Sequence, residues 1–303
     1  MKTLIVNNMM AGSADGAIYD FIRHLSEQDC EVVLRNLGPE NSTEKVLEDA
    51  ESFDLVVASG GDGTVASVTY ALRNTGIPIL PFPSGTSNAL VLNLMSPTEV
   101  FALANLAKEG RTLDFDLAEL TCEGRTYGFE LVAGCGYDAT IMSKAKELKG
   151  ALGSLAYFHA AVTNPLPTHS HLRITLDNDE VIERDGVGVL VANFSKLQFE
   201  LPMTQENLPR DGMLDVIILE TNNAVELIPG WITSMMDKEG SSNGKNGLEY
   251  LKAKEVTVEA EPPLPVQFDG EPLSAQTPFT AKILPGAVNF VVCDEAVAAY
   301  AGE

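Results

Sequence analysis

The sequence predicts an α/β protein of two domains: a parallel-sheet domain over residues 1–112 and a β-rich, sandwich-like domain over 113–288, with 289–303 packing back on the first. Three observations predict this. Short apolar runs of strand length alternate with amphipathic helical patterns through the first hundred residues, which is how βαβ units read. Turns rich in glycine and small hydroxyl residues follow the third and fourth of those runs, at the carboxyl ends of strands, where open parallel sheets bind ligands. From Thr112 the texture changes to closely spaced strand-like runs separated by turn pairs, as in an antiparallel sandwich.

Thr3-Leu4-Ile5-Val6 has the unbroken apolar character of a buried parallel strand. The loop Asn8-Met9-Met10-Ala11-Gly12 follows, then a helix with Ile18, Phe21, Ile22 and Leu25 on one face. Glu31 to Leu34 is a second strand, and Ser42 or Thr43 caps a helix running to about Ala50. A third strand, 54–58, delivers the turn Ser59-Gly60-Gly61-Asp62-Gly63-Thr64, and Val65 to Leu72 reads as a helix. Ile77 to Leu80 leads into Pro83-Ser84-Gly85-Thr86-Ser87-Asn88 and a helix from about Ala89; another, from about Pro97 to Lys108, closes the domain. Strand-like runs then fall at 117–121, 126–133, 171–176, 187–193, 214–219, 253–259, 264–268 and 279–283. Turns are expected at Asp177-Asn178, Asp185-Gly186 and Asp211-Gly212, helices near 138–161 and 224–237, and a loop at 239–247. Asn289 to Ala301 reads as a strand followed by a helix.

Composition narrows the function. A net charge of −23 argues against nucleic acid, which needs a basic surface, and against electrostatic attachment to an anionic bilayer. No apolar run approaches the ~20 residues of a membrane span, and the short apolar start reads as a first strand rather than a leader. Cys30, Cys122, Cys135 and Cys293 form no C-x-x-C pair, so neither a disulfide framework nor a zinc site is indicated. A cytoplasmic protein is expected, and the sequons at Asn41 and Asn193 carry no weight in that setting.

The turn 59–64 carries the chemistry. Its glycines let the backbone approach a ligand closely, and the free N–H groups opening the next helix attract an anion. Asp62 is out of place beside a phosphate unless a cation accompanies it, so the combination points to a nucleotide phosphate with Mg2+. The plainer reading is a strand–turn–helix connection with Thr64 as N-cap.

Four stretches stand out together: 59–64, 84–88, Pro209-Arg210-Asp211-Gly212-Met213-Leu214-Asp215, and Phe268-Asp269-Gly270-Glu271. With Gly134-Cys135-Gly136-Tyr137-Asp138-Ala139 and Leu152-Gly153-Ser154-Leu155-Ala156-Tyr157, their order resembles the diacylglycerol kinase catalytic family of bacterial lipid kinases and sphingoid-base kinases, over nearly the whole chain. The resemblance implies an ATP-dependent lipid kinase, with an active site in the cleft between a nucleotide domain and a lipid-substrate domain. It implies ATP contacts from Asn8, Ser59, Gly60, Gly61, Asp62, Gly63, Thr64, Ser84, Gly85, Thr86 and Asn88. Asp269 takes the place of the family's general base, with Glu271 beside it in the same carboxylate network. Asp62 belongs to the network that holds Mg2+, as does Asp116, with Asp114 a rival two residues away; Asp211 and the Met213 carbonyl resemble a second metal site. The implied partners are a lipid alcohol and, transiently, a membrane surface, with a homodimer left open.

The sequence departs from the family in two places. Ala89 stands where bacterial diacylglycerol kinases carry an aspartate, though sphingoid-base kinases have alanine there; Met9 replaces the proline of the first loop. The rivals are a catalytically silent nucleotide- or lipid-binding regulator and an NAD kinase, whose asparagine–glutamate pair is absent from this chain. For Asp269-Gly270 the competing reading is a hairpin turn. His159, His169 and His171 have no nucleophile to serve, and Met203, Trp231, Met235 and Met236 read as core before they read as a lipid cleft.

Overall fold

A computed structural model describes residues 1–11, 16–136, 168–177, 180–194, 208–220 and 248–302. The helices expected near 138–161 and 224–237, the loop 239–247, His159, Met203, Trp231, Met235 and Met236 lie outside the described residues. The chain divides into two compact units. One comprises Met1–Leu117, Leu208–Asp211 and Leu284–Glu303; the other comprises Ala118–Asn207 and Gly212–Ile283.

In the first unit the order is β1 (Lys2–Asn7), α1 (Ala17–Glu27), β2 (Glu31–Asn36), α2 (Thr43–Val46), β3 (Leu55–Gly60), α3 (Asp62–Ala71), β4 (Pro78–Pro83), α4 (Ala89–Asn93), α5 (Val100–Glu109) and the start of β5 (Arg111–Cys122). The sheet runs β2-β1-β3-β4 and ends on the last part of β16 (Phe279–Val292), with every neighbouring pair parallel. Leu4 to Val6, Leu55 to Ala58 and Ile79 to Phe82 are buried, because helices cover both faces of a parallel sheet. Ile18, Phe21 and Leu25 of α1 meet Leu103, Ala104 and Ala107 of α5 in one core with Ile5, Val57 and Leu80, and each large side chain buried there contributes roughly 1.5–3 kcal/mol. Cys293 precedes a last helix, α6 (Asp294–Tyr300), whose Tyr300 hydroxyl donates to the Asn93 carbonyl at 2.8 Å.

Three helix boundaries differ from the sequence reading, and β3 and β4 run on to Gly60 and Pro83, so Ser59 and Gly60 are strand residues ahead of the turn. Helix α3 starts at Asp62, not Val65, because the Gly61 carbonyl already accepts from Thr64 N and Val65 N; Gly61 is the N-cap and Thr64 lies in the first turn. Helix α2 ends at Val46, and a short 3-10 turn at Ala50–Ser52 completes the segment. Helix α5 starts at Val100 because the Glu99 carboxylate takes the N–H groups of Phe101 and Ala102.

The second unit is antiparallel. Its strands are β6 (Arg125–Phe129), β7 (Val132–Gly136), β8 (Ser170–Leu176), β9 (Glu180–Gly186), β10 (Gly188–Ala192), β11 (Leu214–Leu219), β12 (Leu248–Ala253), β13 (Glu255–Glu261), β14 (Pro265–Phe268) and β15 (Glu271–Gln276). Six of them form a sheet in the order β12-β11-β10-β7-β14-β15. Facing it, β13 lies between β8 and the first part of β16, and β9 pairs with β8. One core draws Cys135, Val189, Val216 and Val266 from the first set and Ile174, Val256, Val258 and Ala281 from the second, as in a sandwich. The run expected at 126–133 is two strands broken at Glu130-Leu131, and Asp185-Gly186 ends β9 rather than forming a separate turn. Gly186 is demanded there, since a Cβ would lie 2.5 Å from the Leu219 carbonyl oxygen. Among the described residues no helix is long and apolar enough to cross a membrane.

Candidate active site

Strands β3 and β4 are parallel neighbours in register, Gly60 opposite Pro83, so the turns that follow them emerge side by side. They touch backbone to backbone: a Cβ on Gly85 would lie 2.6 Å from the Gly61 Cα and 2.9 Å from Asn88 Oδ1. Glycine is therefore required at position 85 by packing alone. Asn88, in the left-handed region with φ 49, closes its turn on itself: Gly85 N donates to Asn88 Oδ1 at 2.8 Å, and Asn88 Nδ2 donates to the Gly85 carbonyl at 3.0 Å. Asp62 binds the turns together, its Oδ1 accepting from Ala89 N at 2.7 Å. Neither Gly61 nor Asn88 caps its helix with a side chain. The opening N–H groups of α3 are thus left to whatever sits in front of the turns.

The first loop is fastened to the same place. Asn8 N donates to the Ser59 carbonyl at 2.8 Å, Asn8 Nδ2 to Thr64 Oγ1 at 2.9 Å, and Met10 N to Asn8 Oδ1 at 3.0 Å. These bonds shape a loop that has Met9 in place of proline, and they leave Met9 and Met10 exposed. Ser59 is fully buried at the end of β3, whereas Gly63, in the first turn of α3, and Thr86, on the second glycine turn, are exposed. The structure therefore brings together Asn8, the turn 59–64 and the turn 84–88.

Asp116 is buried, with Oδ1 accepting from Gly286 N at 2.7 Å and its own N–H donating to the Pro209 carbonyl at 2.9 Å. Asp114 differs: it is exposed and ion-paired with Arg210 Nη2 at 2.8 Å. Arg210 also donates to the carbonyls of Asp114 and Tyr300, which ties the segment carrying Asp211 to β5 and α6. Met213 lies just beyond, ahead of β11. Among the described residues no three His, Cys, Asp or Glu side chains cluster closely enough to cage a metal ion.

Asp269 and Glu271 belong to the second unit. Asp269 (φ 44) and Gly270 (φ 80) form the two-residue turn joining β14 to β15, the geometry that an Asp-Gly pair favours. The hairpin reading of that pair is correct as geometry, and the carboxylate does more besides. Its oxygens accept from the backbone N–H groups of Glu130 (2.8 Å), Leu131 (2.9 Å) and Val132 (3.0 Å), while Asp269 N donates to the Val132 carbonyl at 2.7 Å. Asn193, in the bend just after β10, grips the same segment, its Nδ2 donating to the Glu130 carbonyl at 2.8 Å. Glu271 is exposed at the start of β15.

Sequence reasoning missed Asn7, Arg210 and Gln267, and noticed Asn193 only as a sequon; it is buried. Gln267, also buried, accepts from Gly270 N at 3.0 Å. A polar residue inside or just past a short apolar strand is the signal that would have found Gln267 and Asn193. His171 pairs with Asp185 on the exposed face of β8 and β9.

A parallel-sheet unit with two glycine turns in contact, joined to an antiparallel sandwich, defines the class of diacylglycerol kinase- and NAD kinase-like proteins. Residues 2–120 match the model of the diacylglycerol kinase catalytic domain, and residues 131–292 match the YegS C-terminal NAD kinase β-sandwich-like domain. The chain belongs to the diacylglycerol kinase catalytic family. An uncharacterized protein from Synechocystis is 30% identical over 80% of this chain, which spans only 55% of that relative. A Yersinia enterocolitica protein named probable lipid kinase YegS-like is 26% identical over 94% of this chain and 95% of its own length. Among solved structures, a diacylglycerol kinase from Bacillus anthracis has a TM-score of 0.71 at 22% identity, covering 98% of both chains. An Archaeoglobus fulgidus NAD kinase, solved in complex with ATP, has a TM-score of 0.55 at 16% identity, covering 100% of this chain and 98% of its own. These two likenesses bear on the fold.

Proposed function

We propose that the protein is an ATP-dependent lipid kinase that transfers the γ-phosphate to the hydroxyl of diacylglycerol or a related lipid alcohol, met in transient contact with a membrane or micelle surface. The observation that carries this reading is the contact of Gly85 with Gly61, with Asp62 bonded across it to Ala89 N. Phosphoryl transfer asks for cradled phosphates, neutralised charge and an oriented hydroxyl. The backbone of Gly60, Gly61, Gly63 and Thr64 forms one wall of the cradle, and Ser84, Gly85, Thr86 and Asn88 form the other. Asn8 holds the first wall through Thr64.

Mg2+ fits this donor set. It keeps several waters and takes one or two carboxylates rather than an all-protein cage, and Asp62 spends only Oδ1 on Ala89 N. Asp62 would hold it with the nucleotide's own oxygens, and the ion would neutralise phosphate charge. Asp116 would support that network from its buried position, and Asp211 with the Met213 carbonyl would hold a second, structural ion. Asp269 orients the lipid hydroxyl and receives its proton, with Glu271 beside it. Three amide donors hold the Asp269 carboxylate in one orientation, which suits a reaction in which positioning does most of the work.

The test is turnover. Purified protein with radiolabelled ATP and Mg2+ is offered diacylglycerol, sphingosine and related alcohols in mixed micelles. Labelled lipid phosphate, formed one-for-one with ADP, is the expected result. ATP binding with no turnover on any alcohol would replace the kinase by the silent regulator.

A further inference from the structure

One rung below the two turns, a line of polar side chains crosses the sheet from β2 to the start of the second turn. Asn36, Asn7 and Ser59 are partners in register on β2, β1 and β3. Asn7 Nδ2 donates to Asn36 Oδ1 at 3.0 Å, Ser59 Oγ donates to Asn7 Oδ1 at 3.0 Å, and Ser59 Oγ lies 3.0 Å from Ser84 Oγ. Asn7 and Ser59 are 7% and 0% exposed, so neither reaches a ligand directly. Buried polar groups are tolerated where every member is bonded, and an apolar pair would have closed this layer as well as Ile5 and Val57 close the one two residues below on the same face. What the polar rung adds is a connection from β1 to the hydroxyl of Ser84, at the mouth of the second turn.

We infer that Asn7 is a positioning residue for the nucleotide site: its carboxamide fixes Ser59, and Ser59 fixes the Ser84 hydroxyl and the wall that Ser84 opens. This rests on the site reading above. The role differs from a general contribution to stability, because it acts on the ligand only while Ser84 is serine.

A double-mutant cycle decides it. Asn7→Leu, Ser84→Ala and the pair are compared by calorimetric titration with Mg2+ and ATP, alongside thermal melts. Asn7→Leu should weaken ATP roughly three- to tenfold, the size of one hydrogen bond. In the Ser84→Ala background the same change should have no further effect on affinity, whatever it does to the melting temperature. Equal losses in both backgrounds, or an unaltered affinity in Asn7→Leu, overturn the inference. If Asn7→Leu does not fold, Ser59→Ala breaks the same line with a smaller change and faces the same two outcomes. Unmutated protein that fails to bind ATP overturns the inference and the site together. Binding without lipid turnover removes the kinase reading and leaves the cycle as decisive as before.

Discussion

Asp62 and Asp269 are the same residue type, each in a glycine-containing turn at the end of a strand, yet the backbone uses them in opposite ways. Asp62 opens a helix and accepts one N–H bond, from Ala89. Asp269 sits in a left-handed hairpin turn and accepts three, from consecutive residues of one segment. A carboxylate offers about four lone-pair sites. Asp62 therefore retains acceptor capacity, whereas Asp269 is oriented by the backbone of Glu130 to Val132. A shared sequence context thus hides two arrangements, one carboxylate with acceptor sites to spare and one gripped in a single orientation.

Exchanging each acid for its amide is the strongest way to break that contrast. Asp269→Asn should lower turnover about 10²–10⁴-fold, since an amide can hold the lipid hydroxyl but not accept its proton. It should also destabilise the fold. The amide oxygen can keep the bonds from Leu131 and Val132, but the NH2 then faces the Glu130 N–H, and an orphaned donor costs about 1–3 kcal/mol. Turnover assays with denaturant melts check both effects. Near-normal turnover would pass the base role to Glu271 or Asp116.

Asp62→Asn should leave the melt almost unchanged, because the amide oxygen can still accept from Ala89 N. The loss falls on the cation instead. Affinity for ATP with Mg2+ should drop roughly ten- to a hundredfold, the range for a hydrogen bond to a charged group, while affinity for ATP without Mg2+ changes little. Calorimetry in the presence and absence of Mg2+ measures this, and an unaltered metal dependence removes Asp62 from the metal.

The glycines separate what the fold demands from what the ligand demands. Gly85→Ala should destabilise by about 1–3 kcal/mol, because its Cβ meets backbone at Gly61 that cannot swing away. At Gly63, in the first turn of α3, a Cβ meets nothing within 4 Å. Gly63→Ala should therefore keep or slightly raise the melting temperature, since alanine is favoured over glycine in a helix by ~0.5–1 kcal/mol. If ATP binding nonetheless falls in Gly63→Ala, the ligand is what excludes a side chain there.

Much of this was legible in the sequence for a physical reason. Parallel strands buried on both faces, such as Leu55 to Ala58, must be apolar throughout, and turns such as 59–64 must be small, so unit and turn both show in one dimension. Strands β9, β12 and β15 escaped; charge dilutes the alternation of β9 at Glu180, Glu183 and Asp185, and Glu271 and Pro272 open β15. The grip of Asp269 on Glu130, Leu131 and Val132 joins residues nearly 140 positions apart, and no local pattern encodes such a pairing. The rung from Asn36 to Ser84 escaped likewise, since each of its members looks like an ordinary strand-end residue.

Glu99 sharpens the comparison at its small end. Like Asp269 it accepts consecutive backbone N–H bonds, from Phe101 at 3.0 Å and Ala102 at 2.8 Å, but it caps α5 and has no expected part in the chemistry. Those two amide bonds are the main cause holding its carboxyl below the ordinary glutamate range. A carboxyl lowered by folding stabilises the native state above its unfolded-state pKa, and that contribution fades as pH falls through the folded-state value. Glu99→Gln should therefore lower the melting temperature modestly at neutral pH, and the gap from the unmutated protein should close on acidification below the ordinary glutamate range. ATP affinity should not change. This isolates what losing an amide-gripped carboxylate does to the fold, against which the Asp269→Asn loss can be judged. If Glu99→Gln melts with the unmutated protein at every pH, amide grip of this kind adds nothing measurable, and any instability of Asp269→Asn needs another cause.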